Sequence, residues 1–380
     1  MRILVLTSST GGGHDTRARA FEAWVKLTKP HWTVRVHQAI EETHGLYRFG
    51  VGLYNFIQKT WPPLHHIYYN FLELVSVLGN QNSLLGQSRF AAVLEDFQPN
   101  IVLSVHDATN HGFFQLAKKV LGENKVCCIT YCTEMHAGYG MSRHWVNPSA
   151  DLFIASLPET VEAAIEMGMP PSRIRLGGFL LHPTFYDTPS PAEVEQFWKE
   201  NLQLNPDIFT LLLATGANGA NHHRRILNTL KAFEFPIQIV VLCGKSTKTK
   251  QIVLELARKY ESTHLSIRAL PTTNKMAILM QGASTILLRP GAGTTNEAIQ
   301  MNCPLIINKL TGLMPQEMIN ERFARKHRIS SSISRAKDLP RLLRTWIMHP
   351  EELIAVSQRI DAIKPKQHPC DILSMLEECI

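Results

Sequence analysis

The stretch Ile3-Leu4-Val5-Leu6-Thr7-Ser8-Ser9-Thr10-Gly11-Gly12-Gly13-His14, running on into the periodic segment from Thr16 to Leu27, decides the fold. A short apolar run ends in three consecutive glycines, and a helical pattern follows. That is the strand, glycine turn and helix that open a βαβ unit. Apolar runs of the same kind recur at Thr33 to His37, Ile101 to Val105, Val126 to Tyr131, Leu152 to Ala155 and Ile174 to Leu176. Between them lie stretches long enough for crossover helices, such as Ser88 to Phe97 and Glu159 to Met167. Short apolar runs rich in β-branched residues, alternating with helices, predict strands buried on both faces of a parallel sheet.

A second series follows Thr188-Pro189-Ser190-Pro191, with strands expected at Thr210 to Ala214, Ile237 to Leu242, Leu265 to Leu270, Thr285 to Leu288 and Leu305 to Asn308. The expected fold class is therefore α/β, with two Rossmann-like doubly wound domains facing each other across a cleft. The boundaries read as 1–187 for the first domain, 188–204 for an interdomain linker and 205–350 for the second domain. A terminal helical segment, 351–380, is open to packing back on the first domain.

Composition narrows the class further. Of 380 residues, 44% are hydrophobic and 19% charged, which excludes a disordered chain. Lys and Arg number 39 against 32 Asp and Glu, giving +7. The charge is spread along the chain, with no contiguous basic arm of the kind that binds nucleic acid. The 7 cysteines form no paired CxxC units, which favours a reducing compartment. The opening apolar run is too short for a signal sequence, and no run approaches the roughly 20 apolar residues of a membrane span. The expected location is cytoplasmic.

Three glycines at the end of a strand let a ligand approach the backbone, while the following helix N-terminus favours an anion or a developing oxyanion. Gly12 and Gly13 therefore mark a loop open to such a ligand, and His14 stands where an imidazole can take a proton from a hydroxyl. The spacing is not G-x-G-x-x-G, so a dinucleotide site is not indicated. The second half has its own loops: Ala214-Thr215-Gly216-Ala217-Asn218-Gly219, Cys243-Gly244-Lys245, and Arg289-Pro290-Gly291-Ala292-Gly293-Thr294-Thr295 with Glu297 one helical turn in. Gly216, Asn218, Gly244, Lys245 and Leu270 line the same expected sheet edge. Amides, hydroxyls and Arg289 suit a phosphate, and Glu297 suits the hydroxyls of a ribose.

These motifs resemble the family-28 glycosyltransferases of GT-B architecture, in the branch of monogalactosyldiacylglycerol synthases and processive diacylglycerol glucosyltransferases. The resemblance spans most of the chain and is strongest from Arg289 to Ala298, then Asn302-Cys303-Pro304-Leu305-Ile306-Ile307 and Pro315-Gln316-Glu317. It implies that Gly291, Ala292, Gly293, Thr294 and Thr295 hold a diphosphate, Glu297 the ribose, and Gln316 with Glu317 the sugar hydroxyls. Asn302 departs from the family's usual glycine, which should affect a turn rather than donor chemistry. Gly11-Gly12-Gly13-His14 is similar to the family's glycine-glycine-histidine loop, whose histidine is the proposed base. Ser104-Val105-His106-Asp107 and Thr133-Glu134-Met135-His136 resemble segments lining the family's cleft, with Glu134 where Asp is common. Glu134 is expected to orient or assist His14, or to shape the cleft. The segment Gly177 to Phe185 resembles the family's interdomain segment with its first proline missing.

The implied reaction is an inverting transfer of a hexose from a UDP-sugar, with His14 as base and with no metal or other cofactor. Aromatic and basic residues mix from Leu46 to Leu72, including Tyr47-Arg48-Phe49 and Trp61-Pro62-Pro63. That mixture suits a membrane interface, and equally a pair of core helices. Set beside the resemblance, it implies a lipid acceptor such as diacylglycerol and peripheral contact with an anionic membrane. The alternatives are a polyprenyl-linked or soluble acceptor, a nucleotide-sugar epimerase or hydrolase, and a non-catalytic binding protein.

Overall fold

The computed structural model describes residues 1–10, 12–60, 64–78, 84–214 and 222–380. Gly11, Trp61-Pro62-Pro63, Gly216 and Asn218 lie outside them. The chain divides into two compact units: residues 1–183 with 314–320 and 365–380, and residues 184–313 with 321–364.

The first unit is a six-stranded sheet of β1 (Arg2–Thr7), β2 (Thr33–Gln38), β3 (Ile101–Ser104), β4 (Cys127–Cys132), β5 (Leu152–Ala155) and β6 (Ile174–Leu176). Its order is β2-β1-β3-β4-β5-β6, with every pairing parallel. The central strands β3, β4 and β5 are buried throughout, whereas the edge strand β2 alternates. Helices cover the sheet because its apolar faces must leave water, and Phe90, Phe113, Phe114, Trp145 and Phe153 fill one side.

The second unit has β7 (Thr210–Leu213), β8 (Ile237–Leu242), β9 (Leu265–Leu270), β10 (Thr285–Leu288), β11 (Leu305–Asn308) and β12 (Ser330–Ile333). Their order is β12-β11-β10-β7-β8-β9, again wholly parallel. The strand β12 was not foreseen. It reads Ser-Ser-Ser-Ile, and pairing with β11 at a sheet edge supplies what its side chains do not.

Residues 188–204, expected as a linker, instead fold into the second unit. Ser190 caps the helix Pro191–Glu200 in a reciprocal box with Glu193. Trp198 is buried against Gly282, where a Cβ would stand 2.0 Å from the indole nitrogen. The terminal stretch also divides: the helix Pro350–Ile363 belongs to the second unit and Pro369–Glu377 to the first. Asn302 adopts a left-handed φ of 54° just before β11, so the turn that glycine would make is made by the residue that tolerates it next best.

In both sheets the first strand lies between two neighbours reached by crossovers running in opposite directions. A topological switch point thus falls between β1 and β3 in the first unit, and between β7 and β10 in the second. Loops at the carboxyl ends of such strand pairs form crevices.

Candidate active site

In the first unit, β1 and β3 are hydrogen-bonded neighbours, with Leu6 opposite Ser104 and the Val105 amide donating to the Leu6 carbonyl at 3.1 Å. The glycine turn after β1 is thereby set beside His106 and Asp107 after β3. Gly12 has φ 78° and serves as N-cap of the helix Gly13–Thr28, a conformation that favours glycine. The turn is fastened from outside. Glu41, buried on the short helix Ala39–Thr43, accepts from the Ser8 hydroxyl at 3.0 Å and from the Ser9 amide and hydroxyl, each at 2.7 Å. Asn55 donates to the Ser9 carbonyl at 3.3 Å.

His14 lies in the first turn of the helix, half-buried. Its Nδ1 is 2.8 Å from the carbonyl of Val105, an atom that can only accept. The proton of a neutral ring is therefore on Nδ1, and Nε2 carries the lone pair. The ring centroid is 4.1 Å from that of His106 and 6.0 Å from that of Trp145. Burial, followed by the neighbouring His106, pushes the His14 pKa down to about 3, against the opposing pull of Asp107. His14 is thus a neutral imidazole across the physiological range.

His106 is buried, with Nε2 2.7 Å from the Thr10 hydroxyl and Nδ1 2.9 Å from Asp107 Oδ1. Nδ1 also lies 3.1 Å from the Ala108 amide, a contact that suits the other tautomer. The shorter, charge-assisted pair with Asp107 places a proton on Nδ1. Burial by itself would raise the Asp107 carboxyl, but the charge and hydrogen bond of His106, with His14 beyond, hold it well below the usual range.

Glu134 behaves in the opposite way. Burial and then the repulsion of Asp107 drive its carboxyl up to about 8, with only the Trp145 side chain resisting, so it is predominantly protonated at neutral pH. Oε2 has no hydrogen-bond partner, and the group is not bonded to His14. Its backbone carbonyl is held by the hydroxyls of Ser156 at 2.9 Å and Thr160 at 2.7 Å. His136, half-buried in the same loop, contacts the carbonyl of Ala137 at 3.2 Å.

Gln316 and Glu317 fall in the segment 314–320, which belongs to the first unit. The Gln316 amide donates to the Tyr54 hydroxyl, and Glu317, buried, accepts from the Met314 amide at 2.9 Å. Tyr54 is held in its protonated form first by burial, then by the carboxyls of Glu317, Asp107 and Glu134. Sequence reasoning missed Tyr54 and Glu41, because each acts through a fold contact rather than a motif.

In the second unit, β10 leads through Arg289 and Gly291 into the helix Ala292–Gln300, whose N-cap Gly291 brings no side chain to it. Gly293, Thr294 and Glu297 are half-buried, whereas Thr295 is fully buried with its hydroxyl unpartnered. Of the two threonines, Thr294 is therefore the one within reach of a ligand. Arg289 donates to the Thr311 hydroxyl and the Gly312 carbonyl, both at 2.9 Å, and so braces the loop after β11. Gly244, with φ 57°, and the exposed Lys245 follow β8, and Leu270 ends β9 opposite Leu242. All these groups lie at the carboxyl edge of one sheet, where a helix N-terminus offers amides to an anion.

The family model for monogalactosyldiacylglycerol synthase matches residues 14–180. A processive diacylglycerol beta-glucosyltransferase of Bacillus pumilus is 21% identical over 389 residues, covering 99% of this chain and 94% of its own. A chloroplastic monogalactosyldiacylglycerol synthase of Spinacia oleracea is 24% identical over 402 residues, covering 98% of this chain and 72% of its own. Among solved structures, Acinetobacter baumannii MurG superposes with a TM-score of 0.64 at 16% identity over 99% of both chains. The UDP-GlcNAc 2-epimerase of Neisseria meningitidis, bound to UDP-GlcNAc, superposes with a TM-score of 0.61 at 15% identity over the whole of both chains. At these identities the solved structures bear on the fold alone. Over nearly its whole length the chain is thus similar in sequence to processive diacylglycerol glucosyltransferases and monogalactosyldiacylglycerol synthases, and its two parallel sheets share the two-domain fold of the solved glycosyltransferase and epimerase structures.

Proposed function

We propose that the protein transfers a hexose from a UDP-sugar to diacylglycerol or a related lipid, with inversion at the anomeric carbon. The observation that carries this reading is His14, a neutral imidazole whose Nδ1 proton is committed to Val105. That leaves Nε2 to take the proton of an acceptor hydroxyl. In this reading, His14 stands at the start of the segment matched by the synthase family and serves as the base. The second unit holds the donor: the N-terminus of the helix Ala292–Gln300 and the Thr294 hydroxyl on the diphosphate, and Glu297 on the ribose. Leaving-group charge falls on fixed amides in a scheme that asks for no metal.

The lipid part of the reading draws support from one helix face. Leu46, Phe49, Leu53 and Phe56 recur at three- and four-residue spacing along the helix Gly45–Thr60 and are exposed, Phe49 to 68% and Phe56 to 63%. Val51 and Ile57 of the same helix are buried. Ile67 and Phe71 on the helix His65–Leu78 are exposed as well, and Arg48 adds an exposed cation. An exposed apolar stripe of this kind suits a bilayer interface. Among the described residues no helix is long and apolar enough to cross a membrane. Phe49→Ser combined with Phe56→Ser should therefore weaken flotation with anionic vesicles at least tenfold while leaving UDP affinity unchanged. Undiminished flotation of the double variant would remove the membrane role from this face.

The reaction is tested by supplying labelled UDP-glucose and UDP-galactose separately, with diacylglycerol in anionic vesicles, and resolving the lipid products. The expected result is a labelled glycolipid from one of the two donors. Free sugar or an isomerised nucleotide sugar, with no labelled lipid, would favour the hydrolase or epimerase reading. Label on added polyprenyl or soluble acceptors alone would keep the transferase and change its substrate.

A further inference from the structure

A base that becomes a cation inside a protein needs a counter-charge, and two carboxyls, buried Glu134 and half-buried Asp107, lie close enough to be considered. Glu134 is predominantly protonated at neutral pH and brings little charge to the site. Asp107 stays ionised, paired at 2.9 Å with a ring whose centroid is 4.1 Å from that of His14. Thr10, from the glycine turn, closes the arrangement by meeting the far side of the same ring at 2.7 Å. This contact on Nε2 holds the ring from its far side, with Nδ1 turned to the carboxylate.

We propose that Thr10, His106 and Asp107 form a positioning chain that holds a half-buried negative charge against His14 and supports it as it accepts the acceptor's proton. The inference rests on the reading of His14 as the base. In the step, the acceptor O–H bond breaks and its proton passes to His14 Nε2. The oxygen's electron pair forms the new bond to the anomeric carbon, and the bond from that carbon to the β-phosphate oxygen breaks, its electrons leaving with UDP. Asp107 exchanges no atoms and remains an anion throughout.

The groups that set the charge around His14 come from each neighbouring element. They are Arg17 on its own helix, His106 and Asp107 after β3, and Asp15, whose carboxyl His106 pulls down. His144, in the loop before β5, acts on Asp107. Of these, Asp107 is the leading attraction for a proton on His14, opposed by His106 and Arg17.

The test uses the full chain, with the donor and lipid that the unmodified protein turns over. Asp107→Asn keeps the shape and removes the charge, so kcat is expected to fall at least tenfold while acceptor KM and UDP affinity stay within about twofold. The solvent deuterium isotope effect on kcat should rise, because proton transfer to a weaker base becomes more limiting; a purely structural role would not move it. Thr10→Val should reproduce part of the loss and Thr10→Ser should recover it, which keeps the inference testable if Asp107→Asn fails to fold. Unchanged kcat in all three variants, or a loss that tracks UDP affinity, would overturn the chain while leaving the transferase reading intact. An unmodified protein that transfers no sugar would overturn the reading of His14, and the chain with it.

Discussion

Replacing His14 with Ala should reduce hexose transfer by roughly 10²- to 10⁴-fold, the usual contribution of a positioned general base. Donor affinity should be unaffected, since the donor groups of the second unit do not include His14. Labelled-lipid formation and UDP calorimetry on the same preparation separate the two effects. The variant should also differ in acid stability. Because the folded state holds His14 neutral down to about 3 while an unfolded histidine protonates near its ordinary value of 6.5, the wild type loses stability as pH falls through that window. His14→Ala lacks this loss, so its denaturation midpoint should decline less than that of the wild type between pH 7 and pH 5. Full transfer activity in His14→Ala would remove the base and, with it, the mechanism proposed above.

Glu297→Ala should weaken UDP binding by roughly 10- to 150-fold, corresponding to about 1.5–3 kcal/mol for charge-assisted hydrogen bonds to ribose hydroxyls. Glu297 is half-buried on the helix Ala292–Gln300, one turn from its N-terminus, where its carboxylate can reach a sugar whose phosphates sit at that end. Glu297→Gln should retain part of the affinity, because the amide still offers one acceptor oxygen. A useful contrast is UDP against 2′,3′-dideoxy-UDP: the variant should no longer distinguish them. If Glu297→Ala bound UDP as tightly as the wild type and still preferred the ribose, the donor assignment for this helix would be lost.

Much of the candidate site was legible because its residues follow strands directly. Gly12, Gly13 and His14 succeed β1, His106 succeeds β3, and Gly291 to Glu297 succeed β10, so recognising each strand located each loop. The roles of Asp107, Glu134, Tyr54 and Glu41 were not legible in that way. Asp107 and Glu134 are both carboxylic acids in segments of similar appearance, yet one is held ionised by His106 and the other is driven towards its neutral form by burial and by Asp107 itself. Such a divergence arises only when two groups far apart in sequence share a poorly solvated space. Gln316, read as a sugar ligand, is hydrogen-bonded to Tyr54, from which it is separated by 262 positions.

By itself the sequence determined the α/β class, most of the strands and the glycine turns, since hydrophobic runs and backbone freedom are local properties. It did not determine β12, whose serines carry no strand signal until β11 offers them a ladder. Nor did it determine that Pro191–Glu200 belongs to the second unit, a matter settled by Trp198 fitting the space that Gly282 leaves. Above all, tertiary structure decided the protonation states. The pairing of β1 with β3 brings His14, His106 and Asp107 together, and mutual charge and burial, which no local pattern encodes, make one a neutral base and another a lasting anion.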